Sequence, residues 1–391
     1  MSETLFASRH FATPGSLDVE AFAALCEQQT PAAGYPEATQ IQSKVPIYAA
    51  ATVLDVSQHA SGARRLCDEW HHCLLEGPGV LVIQGMYGDD PAVDAASDSF
   101  VAIIEAEKSS GAHGDHFAPP GSNDRIWNAF QKHGLEDPSG FVDYYANPLL
   151  ALVCEAWLGP GYQVTSQVNV VNPGGQAQSP HRDYHLGFQP SESVERFPLT
   201  MQVASQLLTL QGAIAHSDMP VESGPTQLLP YSQTYRQGYL AWRDPAFQAV
   251  FAEQHVQLPL AKGDGVFFNP ALFHAAGANR SQDRRRMANL LQVSSAFGRA
   301  MESVDRQRLI QASYPALRER FAREGLSVCV RAFIAAVAEG YAFPANLDNS
   351  PPRGGMAPDT QQQLLERALR ENWPTRQLSD HLQQQTIACL P

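Results

Sequence analysis

The sequence predicts a mainly β protein with flanking helices, its strands arranged as a sandwich or barrel. Three observations carry that expectation. Between residues 162 and 297, short β-rich runs are separated by Gly, Pro, Asp and Asn turns, the pattern of a sandwich or barrel. On either side of this region the apolar residues recur at helical spacing. At 79–84, a β-branched apolar run directly follows a helix pattern and a glycine, as the first strand of a sheet core would.

Taken in order, residues 17–29 read as a short helix with Leu17, Ala21, Phe22 and Leu25 at helical spacing. A Pro- and Gln-rich connection fills 30–44. Residues 60–76 form a second helix, with Leu66, Trp70, Cys73 and Leu74 on one stripe and Gly77 as its stop. The strand 79–84 comes next, then a helix over 91–108. Residues 109–123, rich in Gly, Ser, Pro and His, read as a loop. A helix over 147–158 is closed by Gly159-Pro160-Gly161. Residues 162–171 alternate: Gln163, Thr165, Gln167 and Asn169 share one face, Val164, Val168 and Val170 the other. Such a polar face meets solvent or lines a wet cavity.

Short strands are predicted over 207–214, 226–229, 256–260, 265–268 and 287–296, with a helical insertion over 233–255. The tail turns helical over 315–324 and 326–339. A last helix starts at Thr360, with a capping-box partner at Gln363, and ends at Pro374. The organisation expected is an N-terminal extension (1–78), a β core (79–300) and a C-terminal helical extension (301–391). The C-terminal helices are expected to cover the outer sheet face or to form a homo-oligomer contact.

The chain has 391 residues, 44% hydrophobic and 17% charged, with a formal net charge of −13. That acidity argues against a nucleic-acid partner, since phosphate binding needs clustered Lys and Arg. Six cysteines are scattered without a Cys-x-x-Cys pair, which points to reduced thiols and away from a disulfide framework or a zinc site. No secretory signal pattern opens the sequence and no apolar run reaches membrane-spanning length. The expectation is a cytoplasmic protein without a membrane partner; the charge says little about a small-molecule substrate.

Three His-x-Asp triplets are candidates for metal chemistry: His113-Gly114-Asp115, His181-Arg182-Asp183 and His216-Ser217-Asp218. On an extended chain, residues two apart point the same way, so each triplet offers an imidazole and a carboxylate to one ion. A third ligand completes the 2-His-1-carboxylate face that holds non-haem Fe(II) with open positions. The best third ligand is His274, delivered by the apolar run from Phe267. Arg284, Arg285 and Arg286 follow, leading into the strand 287–296, where an arginine fork beside a metal suits a dicarboxylate. The His113 triplet has no strand pattern around it, and the His216 triplet runs at once into a hairpin connection. The His181 triplet follows a strand with a polar face and the turn Pro173-Gly174-Gly175, and is preferred.

The order His181-x-Asp183, then Glu222-Ser223-Gly224-Pro225-Thr226-Gln227-Leu228-Leu229-Pro230-Tyr231-Ser232, then Gly263-Asp264-Gly265, then His274 with Asn279 and Arg285, resembles the phytanoyl-CoA dioxygenase-like family. The resemblance covers about 80–297. It implies a double-stranded β-helix (jelly-roll, cupin-like) core and an oxygenase dependent on Fe(II), 2-oxoglutarate and O2, releasing succinate and CO2. It implies His181, Asp183 and His274 as iron ligands and Arg285 as the partner of the 2-oxoglutarate carboxylate, with the register open by one residue on either side. Related halogenases replace the carboxylate ligand by a small residue. Asp183 is retained, which favours hydroxylation or a similar C–H oxidation.

Two positions depart from the family pattern. Ala276 stands where a serine often contacts the co-substrate, and Pro230-Tyr231-Ser232-Gln233 replaces the usual Pro-Gly-Ser-His turn. Asn169 is a candidate co-substrate contact. Gln167, Tyr184 and His185 are candidate substrate contacts, each with a plain packing or hydrogen-bonding role as the alternative. Two other readings use the same three ligands: a cupin-like hydrolase or isomerase, and a non-catalytic metal-binding jelly roll. An arginine beside His274 favours the oxygenase, because a hydrolase has no need of a dicarboxylate anchor.

Overall fold

The computed structural model describes residues 10–88, 90–111, 122–343, 345–352 and 354–391. The strands, in chain order, are Gln40–Gln42 (β1), Val45–Ala49 (β2), Val80–Gln84 (β3), Asn123–Ile126 (β4), Gln163–Val171 (β5), Thr209–Ala215 (β6), Gln227–Leu228 (β7), Val256–Gln257 (β8), Gly265–Phe268 (β9), His274–Ala275 (β10) and Arg286–Ser294 (β11). The fold is a mixed sheet with flanking helices. Helix takes a 46% share, so the expected "mainly β" understates the helices. The chain divides into two compact units. One holds the described residues up to Gly85 together with Val171–Arg286; the other holds Met86–Val170 and Met287–Pro391.

In the first unit the strands run β1-β2-β3-β9-β6. β2 and β3 are parallel, with Ile47 opposite Val82. A parallel pair needs a crossover, and the helix Ala60–Leu75 supplies it, burying the predicted stripe Leu66, Trp70, Cys73 and Leu74. β9 lies antiparallel between β3 and β6, with Val266 opposite both Val82 and Ala213. Its four residues are all buried, as a central strand of hydrophobic residues requires.

A second, three-stranded antiparallel sheet runs β10-β7-β8, with His274 opposite Leu228. Two sheets are what a jelly roll calls for. The helix Val19–Cys26 belongs to this unit. Phe22 lies 4.8 Å from Phe273 and 5.4 Å from Tyr235, centroid to centroid, and the Asp18 N–H donates to the Tyr235 hydroxyl at 2.9 Å. The predicted insertion over 233–255 is present as the helices Gly238–Ala241 and Pro245–Gln254.

In the second unit the strands run β11-β5-β4. The polar face read in β5 does not meet bulk solvent: Thr165, Gln167 and Asn169 are buried. The helices of this unit are Ala92–Ser109, Ala129–Glu136, Pro138–Tyr145, Pro148–Leu158, Arg306–Glu324, Val328–Val337, Gln361–Arg370 and Thr375–Ala388. The capping box at Thr360 forms as predicted: its hydroxyl accepts from the Gln363 N–H at 3.1 Å, and the Gln363 Oε1 accepts from the Thr360 N–H at 2.8 Å. Among the described residues, no helix is long and apolar enough to cross a membrane.

Candidate metal centre

The site is built where the segment after Gly174 runs beside the segment 270–279. Gly174, at φ 85°, makes the turn, and its N–H donates to Asn279 O at 2.8 Å. The Gln178 N–H donates to Ala276 O at 2.9 Å. His181 and His274 then exchange both backbone bonds, at 3.0 and 3.1 Å. Beyond that rung the pairing slips, since the Asp183 N–H reaches Pro270 O at 2.9 Å. Directly opposed residues of an antiparallel pair share a face. The two histidines therefore point the same way, and their ring centroids are 4.4 Å apart.

Each imidazole is turned by its own backbone. His181 Nδ1 bonds Ser179 O at 2.9 Å, and His274 Nδ1 bonds Leu272 O at 2.8 Å. A carbonyl only accepts, so both rings carry their proton on Nδ1 and leave Nε2 as the lone-pair donor. Both Nε2 atoms face Asp183 Oδ2, at 3.8 Å from His181 and 3.5 Å from His274. One ligand atom from each of the three residues lies within 4.8 Å of the others.

Burial holds the His181 imidazole below its ordinary pKa; His274 pushes the same way and Asp183 opposes. Burial acts to raise the Asp183 carboxyl. The neighbouring His274 and His181 and the bond from Gln211 outweigh it and bring the carboxyl below its usual range. A neutral imidazole and an ionised carboxylate are the protonation states a divalent cation needs. The donor set and its outer hydrogen bonds fit a non-haem iron.

What holds the triplet in place was not read from the sequence. Arg182, between the two ligands, is 1% exposed. Its guanidinium donates to Ser232 O at 2.5 Å and Tyr235 O at 2.9 Å. It stacks between the rings of Tyr239 and Phe273, at 5.4 and 5.2 Å. The Tyr239 hydroxyl donates to Asp183 O at 2.9 Å. Gln211 Nε2 donates to Asp183 Oδ2 at 2.7 Å and to the Tyr184 hydroxyl oxygen at 3.1 Å. The one hint in the sequence was Gln211 itself, a polar interruption in an apolar strand.

The arginines sort by strand alternation. Arg285 is exposed, and its Nε donates to Asn172 Oδ1 at 3.2 Å. Arg286 is buried, with Nη1 at 3.4 Å from Gly277 O and 3.5 Å from Ser223 O. Among the described residues no carboxylate pairs with it. Burial pushes its guanidinium down to about 10, so it stays charged at neutral pH. The backbones beside it meet closely: a Cβ on Gly224 would lie 2.3 Å from Ala278 O.

The other predicted residues are placed as follows. Tyr184 is buried. His185 is half-buried, takes a left-handed φ of 38°, and its Nδ1 has no hydrogen-bond partner among the described residues. Gln167, in the other unit, is spent on internal bonds: its Oε1 accepts from Arg125 Nη1 at 2.9 Å, and its Nε2 donates to Glu302 Oε1 and Gln292 Oε1 at 3.3 and 3.4 Å. Asn169 is buried there too, its Oδ1 without a partner among the described residues. Asp218 accepts from the Lys262 N–H at 3.0 Å, and its triplet assembles no third ligand. His113 and Asp115 lie outside the described residues. Among the described residues, the metal-competent group is His181, Asp183 and His274.

Two curated fungal proteins are similar to this chain. The dioxygenase AndF of Emericella variicolor is 29% identical over 147 residues, 36% of this chain and 45% of that protein. The dioxygenase Trt7 of Aspergillus terreus is 29% identical over 159 residues, 40% of this chain and 50% of that protein. The chain spans about half the length of the curated relatives it matches. Among solved structures, the non-heme alpha-ketoglutarate-dependent epimerase SnoN of nogalamycin biosynthesis aligns at 19% identity and a TM-score of 0.40, over 61% of this chain and 84% of that one. The carbocyclase SnoK of the same biosynthesis aligns at 20% identity and a TM-score of 0.41, over 62% and 86%. The sequence model of the phytanoyl-CoA dioxygenase (PhyH) family matches residues 75–287, and with more than half of its length so matched the chain belongs to that family.

Proposed function

We propose that the protein is an Fe(II)- and 2-oxoglutarate-dependent oxygenase that oxidises a C–H bond of a small organic substrate, with hydroxylation as the favoured outcome. The observation that carries this reading is the pair of features in one unit: three converging ligands, His181, Asp183 and His274, and a buried arginine, Arg286, with no carboxylate partner among the described residues. A buried unpaired cation is costly and is stabilised by an anion brought to it. A dicarboxylate co-substrate supplies that anion. A hydrolase using the same ligands would leave Arg286 without a purpose.

The chain's own residues would bind and orient. His181 and His274 offer Nε2, held by their Nδ1 bonds, and Asp183 offers Oδ2. Iron held there would, with 2-oxoglutarate and O2, supply the oxidising equivalents, with succinate and CO2 as the co-products of 2-oxoglutarate. In the anchoring role we favour Arg286 over Arg285, because a charge-assisted fork is strong where water is excluded and weak on the surface. Tyr184 and His185, next in the chain after Asp183, are the nearest candidates for contact with the substrate. The strained φ of His185 is of the kind that persists where function requires it.

Anaerobic addition of Fe(II) and 2-oxoglutarate to the metal-free protein tests this. A weak visible charge-transfer band is expected, absent in His181→Ala. No band, and no succinate formed in air with any candidate substrate, would overturn the oxygenase reading.

A further inference from the structure

Gln211 sits in mid-β6, a strand buried at every residue, and is itself 8% exposed. Its amide has two donor hydrogens and an acceptor oxygen to satisfy. Both hydrogens are used, one on Asp183 Oδ2 at 2.7 Å and one on the Tyr184 hydroxyl oxygen at 3.1 Å. The amide's orientation follows from its partner: an ionised carboxylate only accepts, so the atom facing it is the nitrogen. The remaining atom, Oε1, is buried with no hydrogen-bond partner among the described residues. Such an orphaned oxygen is a cost to the folded state. A residue selected for packing alone would be an aliphatic one here.

The oxygen that Gln211 grips is the one both histidines face, at 3.8 and 3.5 Å. Across the ladder Gln211 is the direct partner of Phe268 on β9, so the two side chains share a face. The Phe268 ring lies 4.9 Å from that of His274. One rung of the β6–β9 ladder thus touches two of the three ligands, the carboxylate through an amide and the imidazole through a ring.

We propose that Gln211 is a positioning residue of the metal centre, fixing the Asp183 carboxylate with Oδ2 turned to the two imidazoles. Outer hydrogen bonds of this sort orient a ligand and tune its basicity. The proposal rests on the reading of His181, Asp183 and His274 as a metal site, and is independent of the oxygenase chemistry.

Co(II) is the probe, since its visible bands report ligand geometry without turnover. It is titrated into metal-free wild type, Gln211→Met, Gln211→Leu and His274→Ala. Both Gln211 variants are expected to bind Co(II) about 10–100-fold more weakly, with shifted visible bands. Their metal-free unfolding midpoints should stay close to wild type, the two hydrogen bonds lost to Asp183 and Tyr184 being offset by removal of the orphaned oxygen and by apolar packing. The two side chains differ in shape, so one serves if the other fails to fold. Wild-type Co(II) affinity and spectrum in a folded variant overturns the proposal. So does weaker binding matched by a lowered metal-free midpoint, which a merely structural role would give. Failure of wild type to bind Co(II), or unchanged binding in His274→Ala, overturns the underlying metal-site reading instead.

Discussion

His181 and His274 are bonded to each other twice through their backbones, at 3.0 and 3.1 Å, before either side chain meets a metal. The rung sets both imidazoles on one face, and each ring is then aimed by the carbonyl two residues before it. Backbone bonds thus set the direction of both imidazoles, and a metal held by them stabilises the fold by binding it. A ligand at a hundredfold excess over its Kd adds about 2.7 kcal/mol to stability. Wild type should show a matching rise in unfolding midpoint with Fe(II) or Co(II), and His274→Ala should show almost none. An equal rise in both would remove His274 from the ligand set.

Arg285 and Arg286 are adjacent, yet only one is buried. Arg286→Ala should weaken 2-oxoglutarate binding by at least about 2 kcal/mol, roughly 30-fold, as expected when one member of a buried charge pair is truncated. Arg285→Ala, at the surface, should change it by less than about twofold. The readout is the co-substrate dependence of the anaerobic charge-transfer band. The reverse ranking would restore Arg285 as the anchor.

The three candidate ligands that the fold gathers, His181, Asp183 and His274, could be named from the sequence by their order and residue types. His181 and Asp183 stand two apart on an extended segment, His274 ends an apolar run, and three arginines follow. The one-residue ambiguity among those arginines was irreducible: a shift of one position along a strand moves a side chain to the other face. Gln211 and Arg182 were illegible because their roles come from contacts with distant segments, 28 residues away for Gln211 and 50 and 53 for Arg182. The helices Ala129–Glu136 and Pro138–Tyr145 were missed for a local reason. Asp137 ends one and caps the other, accepting from the Gly140 N–H at 3.0 Å, so neither is long enough to show a clear period. Helix content was underestimated accordingly.

Arg182 fixes the ligand-bearing segment from within, and Gly238 is the residue that makes room for it. A Cβ at Gly238 would lie 1.9 Å from the Arg182 guanidinium carbon. The guanidinium cannot swing aside freely, because Tyr239 and Phe273 stack on it and two carbonyls hold it. Gly238→Ala should therefore destabilise the protein by about 1–3 kcal/mol, the usual range for overpacking, and should weaken metal binding as Arg182 drags the triplet. Chemical denaturation and Co(II) titration on the same variant check both. A variant as stable as wild type would show that the guanidinium relocates without strain.

His133 is a buried titratable group of the second unit. It is fully buried, with neither ring nitrogen partnered among the described residues. Its neighbours are Phe100, Phe141 and Tyr144, with ring centroids at 5.0, 5.5 and 5.8 Å. Burial lowers its pKa to about 4, against the weaker opposing pull of Asp137. The unfolded chain, with a histidine near 6.5, binds a proton in the window between the two values while the folded chain does not. Stability therefore rises with pH across that window: the neutral histidine's contribution is whole above about 6.5 and is lost as pH falls towards 4. A separation of about 2.5 units corresponds to roughly 3 kcal/mol. His133→Leu, close in volume and unable to ionise, should flatten the acid limb of the stability profile by about that amount. Urea unfolding at pH 4.5 and pH 7.5 decides it: an acid limb as steep in His133→Leu as in wild type would place the sensitivity in the carboxylates instead.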